Sequence, residues 1–357
     1  MTHNDSFVWG YNGVPFVLRE SEHDKFFVEY GKLTRQPLSW KEECIETARL
    51  IYETAKEHNE IPFVLFSGGL DSQVIVEAFR LSGVPFNVVT IRFNDNWNWH
   101  DIKFAIEWCQ TYNIKQTILD IDLVHFLEND VLDIGIPCQA YSPQYCVFLW
   151  GMNQVEGFPV TGFDGEPELS RSKDNLKKCF FIQEEIHLAA EKHFMCQERK
   201  GAPSFYNYTS ELKISHLIDS ETLNFANCVK YNEYTDNNSW FYGASNFVNG
   251  ISVSTVNSGY TQDLQCHKNN YYRHYFPDFK IRPQITSRWR RGHPYTDYNG
   301  FEFMPEFVFQ LENNARTELQ KRLHDTEEIW MDYDECVFNM LDGYEDLHYE
   351  FRSNRVI

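Results

Sequence analysis

Ser67, Gly68, Gly69, Asp71 and Ser72 are the residues whose types and spacing most directly suit chemistry. The apolar run Phe63-Val-Leu-Phe66 leads into the glycine pair, and Val74, Ile75, Ala78 and Phe79 follow at helical spacing. That order spells a strand, a tight turn and a helix start. Two glycines remove Cβ atoms where the backbone bends, and the first amides of a helix have no acceptor inside it. Such a helix end binds anions, phosphate above all. Ser67 and Ser72 bring hydroxyls for phosphate oxygens, whereas Asp71 suits a phosphate only with a cation such as Mg²⁺ between them. Neither G-x-x-x-x-G-K-[ST] nor G-x-G-x-x-G is present, which excludes the usual nucleotide P-loop and the dinucleotide fingerprint.

The string Ser67-Gly68-Gly69-Leu70-Asp71-Ser72 resembles the SGGxDS signature of the PP-loop ATP pyrophosphatases. The resemblance implies an α/β fold, a parallel sheet flanked by helices of the adenine nucleotide alpha hydrolase, Rossmann-like kind. It implies ATP and Mg²⁺ as ligands. Ser67, Gly68, Gly69, Asp71 and Ser72 would hold the β- and γ-phosphates, with Asp71 on the metal, while AMP passes to an acceptor. Thr90-Ile91-Arg92-Phe93-Asn94 is similar to the family's second strand, whose backbone pairs with the adenine edge, which implicates Ile91 and Arg92. An Arg at a strand end also reads as a surface ion pair, and Asp120 and Asp122 stand at the next strand end, where helix capping accounts for Asp122.

Val160-Thr-Gly-Phe-Asp-Gly-Glu-Pro-Glu-Leu169 is an acidic, Gly-punctuated loop after a short strand. Its three carboxylates repel one another unless a cation or solvent intervenes. It resembles the loop of the asparagine synthetase synthase domain in which an Asp completes the Mg²⁺ site. That implies Asp164 as a metal ligand and Glu166 as a catalytic carboxylate, with Glu168 an alternative because one inserted residue and Pro167 shift the register. Further on, Lys268 to Arg291 holds seven Lys or Arg against the single Asp278, interleaved with Tyr271, Tyr272, Tyr275 and Trp289. Such a mixture suits polyphosphate or a base. Related synthetases carry a late Lys on the departing pyrophosphate, and Lys268 and Lys280 are the candidates for it. Docking of this patch on the acidic tail is the alternative.

The elements that must position these residues follow a strand–helix alternation. Asn12-Gly13 predicts a hairpin turn within Phe7 to Glu20, and Ser39-x-x-Glu42 a capping box at the head of a helix reaching His58. After the glycine loop, Gly83 and Pro85 close a helix, Phe86 to Ile91 reads as a strand, Trp99 to Tyr112 as a helix and Gln116 to Ile121 as a third strand. Ser142-Pro143 starts another helix before the strand Phe158 to Thr161. Alternation of this kind means a parallel sheet with right-handed crossovers. Cys179 to Met195 reads as helical, and Phe307, Leu311, Leu319, Leu323 and Ile329 as the inward face of a helical tail. The expected organisation is an N-terminal hairpin extension over 1–38, the ATP pyrophosphatase domain over 39–175 and a substrate or accessory region over 176–357.

A net charge of −20 over 357 residues disfavours general attraction to nucleic acid or to a membrane surface. Nine cysteines, odd in number and without C-x-x-C, argue against a disulfide framework or zinc ribbon and for a reducing, cytoplasmic setting. No apolar run is long enough to span a membrane, so the expected partner is a small molecule, with a homo-oligomer compatible with the sequence. Glutamine-dependent relatives of asparagine synthetase begin with a catalytic Cys after Met1. Thr2 stands there, so no N-terminal glutaminase domain is expected. The resulting expectation is an AMP-forming ligase of the asparagine synthetase type. The alternatives are a PP-loop nucleobase- or tRNA-modifying or sulfonucleotide reductase-like enzyme, or a non-catalytic nucleotide-binding module.

Overall fold

The computed structural model describes residues 6–163, 168–172, 174–228, 233–234, 240–241, 247–248, 251–252, 274–276 and 304–355. Its first elements are three antiparallel strands, β1 (Phe7–Tyr11), β2 (Val14–Pro15) and β3 (Phe26–Tyr30). Asn12 and Gly13 turn the hairpin with φ of 54° and 77°. The second arm is only two residues long, because Pro15 lacks an N–H and Phe16 turns away at φ 53°. β3 takes over as the long partner of β1, pairing Phe7 with Tyr30 and Tyr11 with Phe26. Helix α1 (Trp40–Glu57) then starts in the expected capping box, with Ser39 N–H donating to Glu42 Oε2 at 3.2 Å.

The central sheet follows in alternation with helices: β4 (Pro62–Leu65), α2 (Leu70–Ser82), β5 (Asn87–Phe93), α3 (Trp99–Tyr112), β6 (Gln116–Ile121) and, after a helical crossover ending in Pro143–Asn153, β7 (Phe158–Val160). All four strands are parallel, in the order β6-β5-β4-β7. The pleat sends alternate side chains to opposite faces. Val64, Phe66 and Val88 pack with α1, α2 and the Ala105 and Trp108 face of α3. Phe63, Leu65, Val89 and Ile91 pack on the other side with helices Pro143–Asn153, Ala189–Cys196 and Glu306–Arg322. Helices thus cover both faces, which is why these strands read as continuous apolar runs.

A second, antiparallel sheet joins β8 (Glu168–Ser172), β9 (Asn175–Glu184) and the strand Glu328–Asp332, with β9 in the middle. The helix expected over Cys179–Met195 is therefore strand as far as Glu184, and only Ala189–Cys196 is α-helical. The apolar run Cys179-Phe-Phe-Ile182 suits either conformation locally, and pairing on both edges decides for the strand. Ile329 likewise lies in a strand, and Phe307 is 52% exposed; the buried stripe of Glu306–Arg322 is Val308, Glu312, Ala315 and Leu319. The polar-looking stretch after Asn207 contains a wholly buried helix, Ser210–Leu217, capped by Thr209. Cys44, Cys109, Cys138, Cys146, Cys179, Cys196 and Cys336 are free thiols. Among the described residues no helix is long and apolar enough to cross a membrane.

One buried polar cluster ties distant segments together. Glu185, just past β9, is fully buried and accepts from Lys192 Nζ at 3.0 Å, Arg19 Nη1 at 3.2 Å, the Glu327 amide at 3.0 Å and the Tyr11 hydroxyl. Burial pushes the Lys192 ammonium below its usual range, and the pull of Glu185 opposes that shift. Removing the shared carboxylate leaves the Lys192 ammonium buried with only the neutral Gln139 Oε1 at 3.2 Å as acceptor, while Arg19 keeps Glu327 at 2.9 Å, so Glu185→Ala is expected to cost about 3–5 kcal/mol in urea denaturation. A loss under about 1 kcal/mol would mean that water reaches the cluster.

Across the same sheet Glu328 sits opposite Glu184. Burial, and then Glu184, push the Glu328 carboxyl up to about 7, against the lowering contact from Trp330 Nε1 at 3.2 Å. A folded value above the unfolded one favours the protonated form, so this contribution is present below about pH 4.5 and is lost as pH rises through about 7. Glu328→Gln should therefore gain in melting temperature over the parent between about pH 5 and about pH 8. Parallel pH profiles would refute the coupling.

Candidate functional site

The winding direction reverses at β4, with β5 and β6 on one side of it and β7 on the other. Ligands of open α/β sheets settle outside the strand ends at such a reversal. The Ser67–Ser72 turn occupies that place, leaving β4 through Phe66, whose N–H donates to Val89 O at 2.9 Å and whose carbonyl accepts from Thr90 Oγ1 at 2.9 Å. Gly68 has φ 92°, and a Cβ there would lie 2.1 Å from the Asp101 carbonyl oxygen at the start of α3. Only glycine lets the turn pass under α3.

Three bonds shape the turn from within. The Gly69 amide donates to Ser67 Oγ at 3.1 Å, Ser72 Oγ donates to Gly69 O at 3.1 Å, and the two hydroxyl oxygens are 3.3 Å apart. The first bond inside α2 runs from Gln73 N–H to Gly69 O at 3.0 Å, so the amides ahead of it face out of the helix end. Gly69, at the N-cap, carries no side chain over that end. The arrangement fits a phosphate chain: helix-end amides, two hydroxyls and an uncluttered glycine turn. Asp71, in the first turn of α2, is positioned through its backbone by Tyr206, whose hydroxyl donates to Asp71 O at 2.8 Å.

The chain leaving β7 passes close by. A Cβ on Gly162 would lie 2.8 Å from Ile75 Cδ1 and 3.8 Å from Asp71 C, which brings the start of the acidic loop beside the head of α2. The segment after Gly201 pairs along this edge, with Thr161 N–H donating to Ala202 O at 3.0 Å and Phe205 N–H to Thr161 O at 2.9 Å. Asp164 and Glu166 lie outside the described residues, as do Lys268 and Lys280, and Glu168 is described only as backbone at the start of β8. Among the described residues no three His, Cys, Asp or Glu side chains gather as a metal site.

At the end of β5, Arg92 and Asp120 form a two-bond pair, Nε to Oδ1 at 2.5 Å and Nη2 to Oδ2 at 2.9 Å, on the surface. Each stabilises the charge of the other: the hydrogen bond to Arg92 lowers the Asp120 carboxyl, and that to Asp120 raises the Arg92 guanidinium. Asp122 caps a short helix, accepting from the His125 amide at 3.1 Å and from Asn94 Nδ2 at 3.2 Å, and the amide contact leads in holding its carboxyl low. The Ile91 carbonyl accepts from Asn98 Nδ2 at 2.9 Å, and Asn98 Oδ1 accepts from the Phe93 amide at 3.0 Å. Thr90, Asn98 and Tyr206 thus join the neighbourhood of the turn without having been singled out from sequence. Asn98 carried a weak signal as part of the turn-rich Asn94-Asp-Asn-Trp-Asn98, whereas nothing local marks Tyr206, 135 residues from its partner.

Residues 62–139 match the family model of QueC, the queuosine biosynthesis protein, over less than a quarter of the chain. The matched span contains β4, the glycine turn, β5 and β6, and it supports the PP-loop superfamily for this core. No curated protein matches the chain. Among solved structures, an NMN synthetase from Francisella tularensis is similar at 19% identity and a TM-score of 0.26, over 34% of this chain and 54% of that one.

The two glycines flanking α2 separate strain from collision. Gly68→Ala combines positive φ with the Asp101 clash, whereas Gly83, at φ 75°, has nothing within 4 Å of its Cβ position. Gly83→Ala should cost about 1–2 kcal/mol and Gly68→Ala at least about 2 kcal/mol more, read from urea denaturation. Equal costs would mean that α3 yields freely at Asp101.

Proposed function

We propose that this protein is an ATP-dependent enzyme of the PP-loop kind, splitting ATP into AMP and pyrophosphate while activating an acceptor oxygen. The observation that carries the reading is one of place. The SGGxDS string forms the turn after the central strand, at the winding reversal, inside the span matched by the family model. In this reading Ser67, Ser72 and the amides at the head of α2 bind the β- and γ-phosphates. Asp71 would hold Mg²⁺ with Asp164, and such an ion neutralises charge on the phosphate oxygens. Lys268 or Lys280 would stabilise the departing pyrophosphate, and Glu166 would serve the acceptor. The contribution of this chain is largely positional and electrostatic: a fixed phosphate grip presents the α-phosphorus to an acceptor in line.

For the acceptor, an amide-forming ligase of the asparagine synthetase type rests on the acidic loop that starts beside Asp71. A second reading, a nucleobase-type acceptor, is favoured by the match to a family named for the biosynthesis of queuosine. The net charge of −20 speaks for a free small molecule over a polynucleotide.

ATP labelled at the α-phosphate, incubated with Mg²⁺, the protein and a metabolite extract, is expected to give labelled AMP and equimolar pyrophosphate. ADP with free phosphate would refute the reading, since a grip on both outer phosphates makes them depart together.

A further inference from the structure

Strand β5 outruns its neighbour β4. Their ladder ends at Leu65 opposite Val89, while β5 continues to Phe93 with β6 alone beside it. Alternate residues of a strand direct their backbone groups to the same edge. Val89 O receives the Phe66 amide, so Ile91 C=O and Phe93 N–H face the same way, toward the mouth of the glycine turn. Both are taken by one side chain. Asn98 Oδ1 accepts from Phe93 N–H at 3.0 Å, Asn98 Nδ2 donates to Ile91 O at 2.9 Å, and the residue is 8% exposed. The orientation of the amide is unambiguous, because one partner can only donate and the other only accept.

A carboxamide offers an acceptor and a donor side by side, and so does the N1/N6 edge of adenine. Asn98 also sits at the junction with α3. Its carbonyl accepts from the Asp101 amide at 3.1 Å and the Ile102 amide at 3.2 Å, and this first turn is the part of α3 that closes on Gly68. The link from β5 passes through Asp95 and Asn96, both at positive φ (50° and 58°), where Asp and Asn are among the few residues tolerated. Exposed Trp99 follows directly, 48% accessible.

We propose that Asn98 is an internal stand-in for a nucleobase edge, which the base of a bound nucleotide must displace from Ile91 and Phe93. Asn98 is then a specificity-determining residue. It sets a threshold that only a base with the adenine order of acceptor and donor can pass, and it links base binding to the seat of α3 beside the phosphate turn. The inference rests on the ATP reading above, and the test separates the two.

Binding of ATP, of ITP and of inorganic tripolyphosphate, each with Mg²⁺, is measured by calorimetry on the parent, Asn98→Ala and Asn98→Ser. Serine still suits the head of α3 but cannot span both backbone groups. Both variants are expected to bind ATP about tenfold more tightly, the worth of two hydrogen bonds no longer displaced, with tripolyphosphate unchanged within about twofold. ITP, whose edge carries donor and acceptor in the opposite order, should show no gain. In the unmodified protein, the Asn98 side-chain amide signal in NMR, identified by its loss in Asn98→Ser, should move to a solvated position with ATP and stay with tripolyphosphate. Unchanged or weaker ATP binding in a folded variant, or an Asn98 signal that ignores saturating ATP, would reduce Asn98 to a structural staple and overturn the inference. Failure of the parent to bind either tripolyphosphate or ATP would instead sink the ATP reading, and this inference with it.

Discussion

No Cβ fits between Gly68 and the first turn of α3, and that lack of clearance organises the site. The Asp101 carbonyl stands 2.1 Å from where the atom would be, so the turn and α3 can coexist only with glycine at this position. Because β4 is hydrogen-bonded to β5 and β7 on its two edges, the turn cannot retreat by shifting the strand. The glycine turn, α3 and the end of β5 therefore behave as one unit. Asn98 stands at the junction of that unit, its carbonyl bonded to the head of α3 and its side chain to the end of β5.

Segments remote in sequence brace this unit from outside the sheet. Tyr206 reaches back to the Asp71 carbonyl, and the segment around Ala202 extends the β7 edge, so residues remote in sequence complete the wall opposite α3. The buried Glu185 cluster does similar work at larger scale. It gathers Tyr11 from β1, Arg19 from the link between β2 and β3, Lys192 from a helix against the sheet, and Glu327 from the approach to the last strand. A buried, hydrogen-bonded charge cluster of this sort favours one arrangement of segments over others, because most rearrangements would strand a charge in the interior.

What the sequence determined by itself was local and repetitive. Ser67–Ser72 was legible because glycine pairs and helix-end donors have few uses, and the central strands because burial on both faces leaves unbroken apolar runs such as Phe63-Val-Leu-Phe66. The capping box at Ser39 and the left-handed end at Gly83 were legible for the same reason, each depending on a residue and its immediate neighbours. Only the tertiary structure decided the rest. Cys179-Phe-Phe-Ile182 became a strand because β8 and Glu328–Asp332 pair with it on either edge. Arg92 met Asp120 because parallel register sets them side by side across 28 residues, and Tyr206 met Asp71 across 135. Asn98 shows the division most clearly. Its composition marked a turn, but its occupation of the free edge of β5 follows from β4 ending four residues short, a mismatch of lengths that exists only once the strands are paired.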